Sequence, residues 1–296
     1  VDIKRITDYA KSKGVKVMVW CPGHSLYRNL DGALNFFASL GIAGVKADFF
    51  GREDQTGIRM YKEIAKAAAA RKMLVDFHGA AKPTGLSRTY PNVINIEAVA
   101  GNEWNKLSDD KVTLSHKVIL PFTRGLLGPM DFTPGGMRNL QSGHNLRFTL
   151  PVVHGSRCNE MALFVVYNEP LKMVCDAPSV YEREPEVIRF ISKIPTVWDD
   201  TKVLEARFGE YLVEARQTGG NWYVAGLNGE TAREVIIDCS FLGEGSFDAR
   251  ILRDGPNADR IGTDYEFEDK KITKCSKLKL NMVEGGGFVV KISNAH

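Results

Sequence analysis

The chain has 296 residues, 44% of them hydrophobic and 25% charged. That balance belongs to a folded globular protein and excludes a disordered or fibrous one. Lys and Arg (39) exceed Asp and Glu (36) by only 3, and no apolar run approaches the ~18–20 residues of a membrane span, so neither nucleic acid nor a membrane is expected as a partner.

Helix and strand patterns alternate over the first 130 residues. Asp2 to Lys13 places Ile3, Ile6 and Ala10 on one helical stripe and stops at Gly14. Val15 to Trp20 then reads as a strand. A second helix follows, with Leu30, Leu34, Phe37 and Ala38 on one face and Gly41 at its end. Gly44 to Phe50 is the next strand. Ile58, Tyr61, Ile64, Ala65 and Ala68 mark a third helix, Met73 to Phe77 a third strand and Val93 to Glu97 a fourth. Two further short strands are expected near Lys117–Pro121 and Met130–Thr133. Strands separated by crossovers of a dozen residues or more indicate a parallel sheet.

About six strands in roughly 200 residues fall short of the eight in a closed barrel of ~250 residues. An open doubly wound sheet is one solution. A (β/α)8 TIM barrel missing its first two strands is the other, and the opening helix, with no strand before it, favours the truncated barrel. From about Lys202 the pattern changes to short alternating strands, at 202–207, 211–216, 222–226, 234–238 and 287–292, with Gly-rich turns such as Thr218–Asn221 between them. The expected organisation is an α/β chain: a partial (β/α)8 barrel over residues 1–198, then an all-β antiparallel sandwich over 199–296.

The five cysteines are scattered without a C-x-x-C pair, which argues against a zinc knuckle or a disulfide scaffold. A bridge between Cys239 and Cys275 stays open, with nothing in the sequence to support it. The chain opens without Met, directly on a helix, and reads as a piece of a longer polypeptide; the lack of a leader therefore says little about compartment.

In parallel β/α folds the catalytic groups sit at the C-terminal ends of strands and in the loops that follow. Asp48 ends the second strand, Asp76 and His78 the third and Glu97 the fourth. Glu103 lies six residues further on, in Ala98-Val-Ala-Gly-Asn-Glu-Trp104, and Asp131 follows Gly125–Met130. Carboxylates dominate this rim, and two-carboxylate acid–base or nucleophilic chemistry is the natural reading. Each also has a structural alternative. Asp48 could cap the next helix, Glu97 could pair with Lys46 or Lys72, and His78 could be a hydrogen-bonding wall residue, since no nucleophile elbow and no zinc-type His spacing accompanies it. Lys46 shares a strand face with Asp48, as a salt-bridge partner or a donor to a sugar hydroxyl. Trp20 and Trp104 are candidate sugar platforms or core aromatics. The sandwich shows no clear site.

Taken in order, Lys16–Trp20, Gly44-Val-Lys-Ala-Asp-Phe49, Asp76-Phe-His-Gly-Ala80, Asn95-Ile-Glu-Ala98, Gly101-Asn-Glu-Trp104, Leu120–Gly125 and Gly128–Pro134 resemble the C-terminal portion of glycoside hydrolase family 97. The resemblance extends through essentially the whole chain. It implies a retaining exo-α-galactosidase that acts through a covalent galactosyl-enzyme intermediate on oligosaccharides with terminal α-galactose. Asp48 would be the nucleophile and mark the retaining branch, with His78–Gly79 where the inverting branch has a base glutamate. Glu103 would be the general acid/base. Lys46, His78 and Trp20 match substrate-pocket positions, and Glu97 and Glu103 match carboxylates that hold a calcium ion. The N-terminal part of the same polypeptide would complete both the barrel and the calcium site. A periplasmic or secreted location is implied in the same way. A related glycosidase on another pyranoside, such as a β-L-arabinopyranosidase, and a non-catalytic carbohydrate-binding fragment remain as alternatives.

Overall fold

The computed structural model describes residues 1–141 and 148–295. Contacts divide them into two units: Val1–Val99 with Leu127–Asp131 and Glu169–Leu171, and Ala100–Leu126 with Phe132–Asn168 and Lys172–His296.

In the first unit helices and strands alternate: α1 (Ile3–Ser12), β1 (Met18–Pro22), α2 (Gly23–Arg28), α3 (Leu30–Ser39), β2 (Gly44–Asp48), α4 (Gln55–Ala69), β3 (Leu74–Phe77), α5 (Leu86–Thr89) and β4 (Val93–Ile96). Aspartates start two of the helices. The Asp2 carboxylate accepts from Arg5 N, and that of Asp54 from the N–H groups of Thr56 and Gly57, which satisfies donors an α-helix leaves unpaired. The expected stripe on α1 is only partly covered, because Thr7 is buried while Ile6 is exposed.

The four strands pair in parallel in the order β1-β2-β3-β4. Successive strand residues face opposite sides. Val45, Ala47, Val75 and Phe77 accordingly join a core with Leu34, Met60, Ile64, Ala65 and Ala68 of α3 and α4. Lys46, Asp48, Asp76 and His78 have the other parity. The register sets Lys46 beside Asp76 and, past a bulge after Val75, Asp76 beside Asn95. The polar residues of adjacent strands thus form rows across one face. Below the strand ends Phe50, Tyr61 and Phe77 form a T-shaped cluster, with centroid distances of 4.4, 5.7 and 5.0 Å.

The second unit contains a 3-10 helix (Asn102–Lys106), α6 (Leu114–Ile119), a short parallel pair β5 (Asn139–Leu140) and β6 (Val153–His154), and helices α7 (Arg157–Val166), α8 (Pro178–Tyr181) and α9 (Pro185–Ile191). Strands β7 (Asp200–Arg207), β8 (Tyr211–Thr218), β9 (Asn221–Asn228), β10 (Arg233–Asp238), β11 (Phe247–Asp254), β12 (Tyr265–Ile272), β13 (Lys277–Met282) and β14 (Gly287–Asn294) follow. They form a six-stranded antiparallel sheet, β12-β11-β14-β9-β8-β7, and an antiparallel pair, β10-β13. Val213, Val224, Val235, Ile237, Leu280 and Phe288 belong to the core they share. Helix α7 is buried along its whole length and packs on β9 and β14.

Two expected strands are absent. Lys117–Pro121 instead belongs to α6 and the 3-10 turn Leu120–Phe122. The Thr113 side chain caps α6 by accepting from His116 N, and Leu114 and Val118, four residues apart, are both buried, which is helical rather than strand spacing. Met130 to Phe132 are buried and Thr133 is half-buried, but the segment pairs with no strand; Phe132 O accepts from Asn102 N instead. All five cysteines are free, Cys239 buried and Cys275 exposed. Among the described residues no helix is long and apolar enough to cross a membrane.

Phe50 is fully buried at the centre of the aromatic cluster. Phe50→Ala is expected to destabilise the fold by about 3–5 kcal/mol, the cost of an aromatic-sized cavity. Urea unfolding measures it, and a loss below ~1 kcal/mol would show that the cluster does not support the strand ends.

Candidate active site

At three of the four strand ends of the first unit the functional side chain is followed by a residue in the left-handed backbone region: Asp48 by Phe49 (φ 57°), His78 by Gly79 (φ 52°) and Glu97 by Ala98 (φ 37°). For Phe and Ala that conformation costs of order 1–3 kcal/mol and persists only where the surroundings impose it. The turn carries the chain sharply away at the level where each functional side chain stands. Gly79 is required for a second reason. A Cβ there would lie 2.7 Å from Asp48 Oδ1, so any larger residue would displace that carboxylate.

Asp48 is buried, and two donors orient it. Trp20 Nε1–H donates to Oδ2 at 2.9 Å, and Phe49 N–H donates to Oδ1 at 2.6 Å. Trp20 and Phe49 are themselves 53% and 65% exposed and meet edge to face at 5.9 Å. A buried carboxylate with two exposed aromatics beside it suits a pyranose, whose C–H faces stack on rings while its polar carbon lies against an acid. The helix-cap alternative for Asp48 does not describe these contacts; Asp54 performs that task for α4.

Behind Asp48 lies a charged cluster. Lys46 donates to Asp131 Oδ2 and lies 3.7 Å from Asp76 Oδ2. His78 Nδ1 is 2.8 Å from the same Asp131 oxygen, and its Nε2 is 3.4 Å from Glu97 Oε1. Glu97 Oε2 also accepts from Gly79 N–H at 2.6 Å. Glu97 thus fixes the His78–Gly79 turn, while Lys46 engages Asp131 and Asp76.

The two buried aspartates titrate in opposite directions. Asp76 is pushed up to about 8, by burial first and then by the neighbouring Asp131 charge, against the pull of Lys46 and His78. Neither Asp76 oxygen has a hydrogen-bond partner among the described residues. Burial also raises Asp131, but hydrogen bonds from His78 and Lys46 and their charges outweigh it and hold this carboxyl near 2. Of the pair, Asp76 is thus the member that holds a proton more readily and Asp131 the one that ionises more readily.

Glu103 belongs to the second unit. It is exposed on the 3-10 helix Asn102–Lys106, whose first residue is buried and tied down: Asn102 N donates to Phe132 O at 2.9 Å. Trp104 lies on the same 3-10 helix and is half-buried. Of the expected site residues, Trp20, Lys46, Asp48, His78 and Glu97 gather on the first unit. The sequence did not show that Asp131 anchors both Lys46 and His78, nor that Trp20 orients Asp48 through its indole N–H.

The chain matches the family Glycoside hydrolase 97 over residues 1–99 and Glycosyl-hydrolase 97 C-terminal, oligomerisation, over residues 197–293. It is 44% identical over 296 residues to a retaining alpha-galactosidase of Bacteroides thetaiotaomicron, covering 99% of this chain and 44% of that protein. It is 32% identical to a probable retaining alpha-galactosidase of Streptomyces bingchenggensis, covering 97% of this chain and 42% of the relative. A family 97 glycoside hydrolase from Pseudoalteromonas sp. strain K8, solved with panose, superposes with a TM-score of 0.89 at 29% identity over 100% of this chain and 49% of that one. A β-arabinopyranosidase shares the fold, with a TM-score of 0.84 at 24% identity. The chain spans less than half the length of these curated relatives.

The Asp76 proton has a consequence for stability. An aspartate in the unfolded chain titrates near the ordinary value of about 4, and Asp76 in the fold near 8. Over that window the folded state binds the extra proton, so this group makes stability fall as pH rises. Asp131 acts oppositely: its contribution is present above pH ~4 and is lost as pH falls toward 2. Asp76→Asn is therefore expected to lose less stability between pH 5 and pH 8 than the parent chain, as read from urea midpoints. An equal loss would place the proton elsewhere.

Proposed function

The chain belongs to glycoside hydrolase family 97, and from that premise we propose that it supplies part of the catalytic domain, and the C-terminal sandwich, of a retaining exo-α-galactosidase. The parallel strands run β1-β2-β3-β4 without a reversal of direction. A (β/α)8 barrel has that order, whereas a doubly wound sheet reverses it. We read the first unit as part of such a barrel, whose first two strands the upstream part of the polypeptide would supply. The β-arabinopyranosidase alternative has only a shared fold behind it.

The observation that carries the mechanism is Asp48, at the C-terminal end of β2, with one oxygen held by Trp20 and the other by Phe49 N–H. An oriented carboxylate can attack the anomeric carbon directly. In the first step Asp48 displaces the leaving group of an α-galactoside with inversion and forms a β-galactosyl ester, while Glu103 protonates the departing oxygen. In the second, Glu103 takes a proton from water, which attacks the ester with a second inversion. The net result is retention. Lys46, with Asp131 and Asp76 behind it, is placed to donate to a sugar hydroxyl, and His78 is held in one orientation by Asp131 and Glu97. Trp20 and Phe49 provide apolar surface for the ring.

Glu97 and Glu103 are proposed as calcium ligands. Carboxylate oxygens are the hard donors that Ca²⁺ takes, and each of these two residues carries a pair of them. An ion taking six to eight oxygens needs more than two carboxylates supply, so the upstream part of the polypeptide would provide the rest. When bound, the ion adds positive charge that orders these side chains. A periplasmic or secreted location rests on the family resemblance.

Proton NMR during hydrolysis of an α-galactoside by the complete polypeptide tests the reading. α-Galactose is expected to appear first and then mutarotate, and Asp48→Asn is expected to lower turnover by about 10⁴-fold or more. First appearance of β-galactose would make water, not Asp48, the attacking group.

A further inference from the structure

Glu160 lies on α7, and none of its side chain reaches solvent. A buried carboxylate is costly unless its oxygens are paired and hydrogen-bonded, and a well-packed apolar residue would usually serve stability equally well. Here every contact is a donor aimed at the carboxylate. Lys117 Nζ donates to Oε1 at 2.5 Å, while Asn102 Nδ2 (2.8 Å), Gly135 N (3.1 Å) and Gly136 N (3.0 Å) converge on Oε2. Lys117 is equally enclosed and spends its other donors on His154 O (2.8 Å) and Asn159 Oδ1 (3.3 Å).

What the carboxylate grips is specific. Asn102 is the residue immediately before Glu103 and the first of its 3-10 helix. The Asn102 carbonyl accepts from Asn105 Nδ2 at 3.0 Å, which ties the first turn to itself. The approach is tight as well: a Cβ on Gly101 would lie 2.6 Å from Phe132 O. Glu160 therefore links a buried helix to the segment that carries Glu103 through a single side chain.

We propose that Glu160, acting through Asn102, is a positioning residue for the general acid/base, fixing where Glu103 presents its proton. This rests on the assignment of Glu103 made above. The first-step protonation matters most when the leaving group is a poor one, because an acidic leaving group departs without help. A defect in Glu103 placement must therefore grow with leaving-group pKa, whereas a general loss of folded enzyme lowers all substrates alike.

The experiment compares kcat/KM on phenyl α-galactoside and 2,4-dinitrophenyl α-galactoside in the complete polypeptide. Glu160→Gln removes the charge and turns an amide N–H₂ toward existing donors. Asn102→Ala cuts the link, along with the longer contacts of Asn102 Oδ1 with Asn105 Nδ2 (3.3 Å) and of its Nδ2 with Cys175 Sγ (4.0 Å), and leaves Glu160 held by Lys117 and both glycines. Both variants are expected to lose about 30- to 100-fold on the phenyl substrate, the scale of a misplaced catalytic group, and under about 3-fold on the dinitrophenyl one. Glu103→Gln, measured alongside, separates the two levels of the argument. If it shows the leaving-group dependence while Asn102→Ala shows equal losses or none, the positioning role is wrong and Glu160 is structural. If Glu103→Gln itself lacks the dependence, the acid assignment fails, and the positioning role with it.

Discussion

Lys46, Asp76, His78 and Asp131 stand together with little or no access to water, and the polar face of the parallel sheet depends on their neutralising one another. The requirement comes from strand geometry. Helices α3 and α4 cover one face of the sheet and take every other side chain into an apolar core; the residues between must face the other way. Charges on that face can leave water only if each has a partner of opposite sign or holds a proton. Asp131 provides this by accepting from Lys46 and His78 with the same oxygen. Asp76, left without a hydrogen-bond donor among the described residues, holds a proton more readily instead.

The positions above the cluster follow from it. With His78 held between Asp131 and Glu97, the Gly79 turn is fixed, and Gly79 leaves just enough room for Asp48. The left-handed Phe49 and Ala98, after Asp48 and Glu97, are conformational strain that the surrounding contacts sustain. Such strain concentrates where side chains must be aimed rather than merely packed. The same principle recurs in the second unit, where a fully buried ion pair, Lys117 with Glu160, holds loop backbone and the start of the segment bearing Glu103.

Much of this was legible in the sequence where the signal is local. A short apolar run closed by a carboxylate marks a strand end, and Asp48 and Glu97 were found that way. The strands flanking them were located to within a few residues. What escaped depends on distance along the chain or on full burial. Asp131 meets His78 and Lys46 across 53 and 85 residues, which no spacing pattern reveals. Strand β12 was missed because the run of charges Glu268-Asp-Lys-Lys271 breaks its alternation, whereas β11 and β13 alternate buried and outward residues and were overlooked despite that signal. Helix α7 lacks a polar face altogether, so the 3.6-residue period never appears, and its Glu160 gave no hint of its partners. The strands expected at 117–121 and 130–133 failed for a related reason: a short buried apolar run does not distinguish strand from helix or irregular chain.

The central claim is that Asp48 is the nucleophile, and trapping the covalent intermediate tests it most directly. The complete polypeptide, treated with 5-fluoro-α-galactosyl fluoride and digested, would be sequenced by tandem mass spectrometry. A fluorogalactosyl ester on Asp48 is the predicted result. An ester on any other carboxylate, or inactivation with no labelled peptide, would contradict the account.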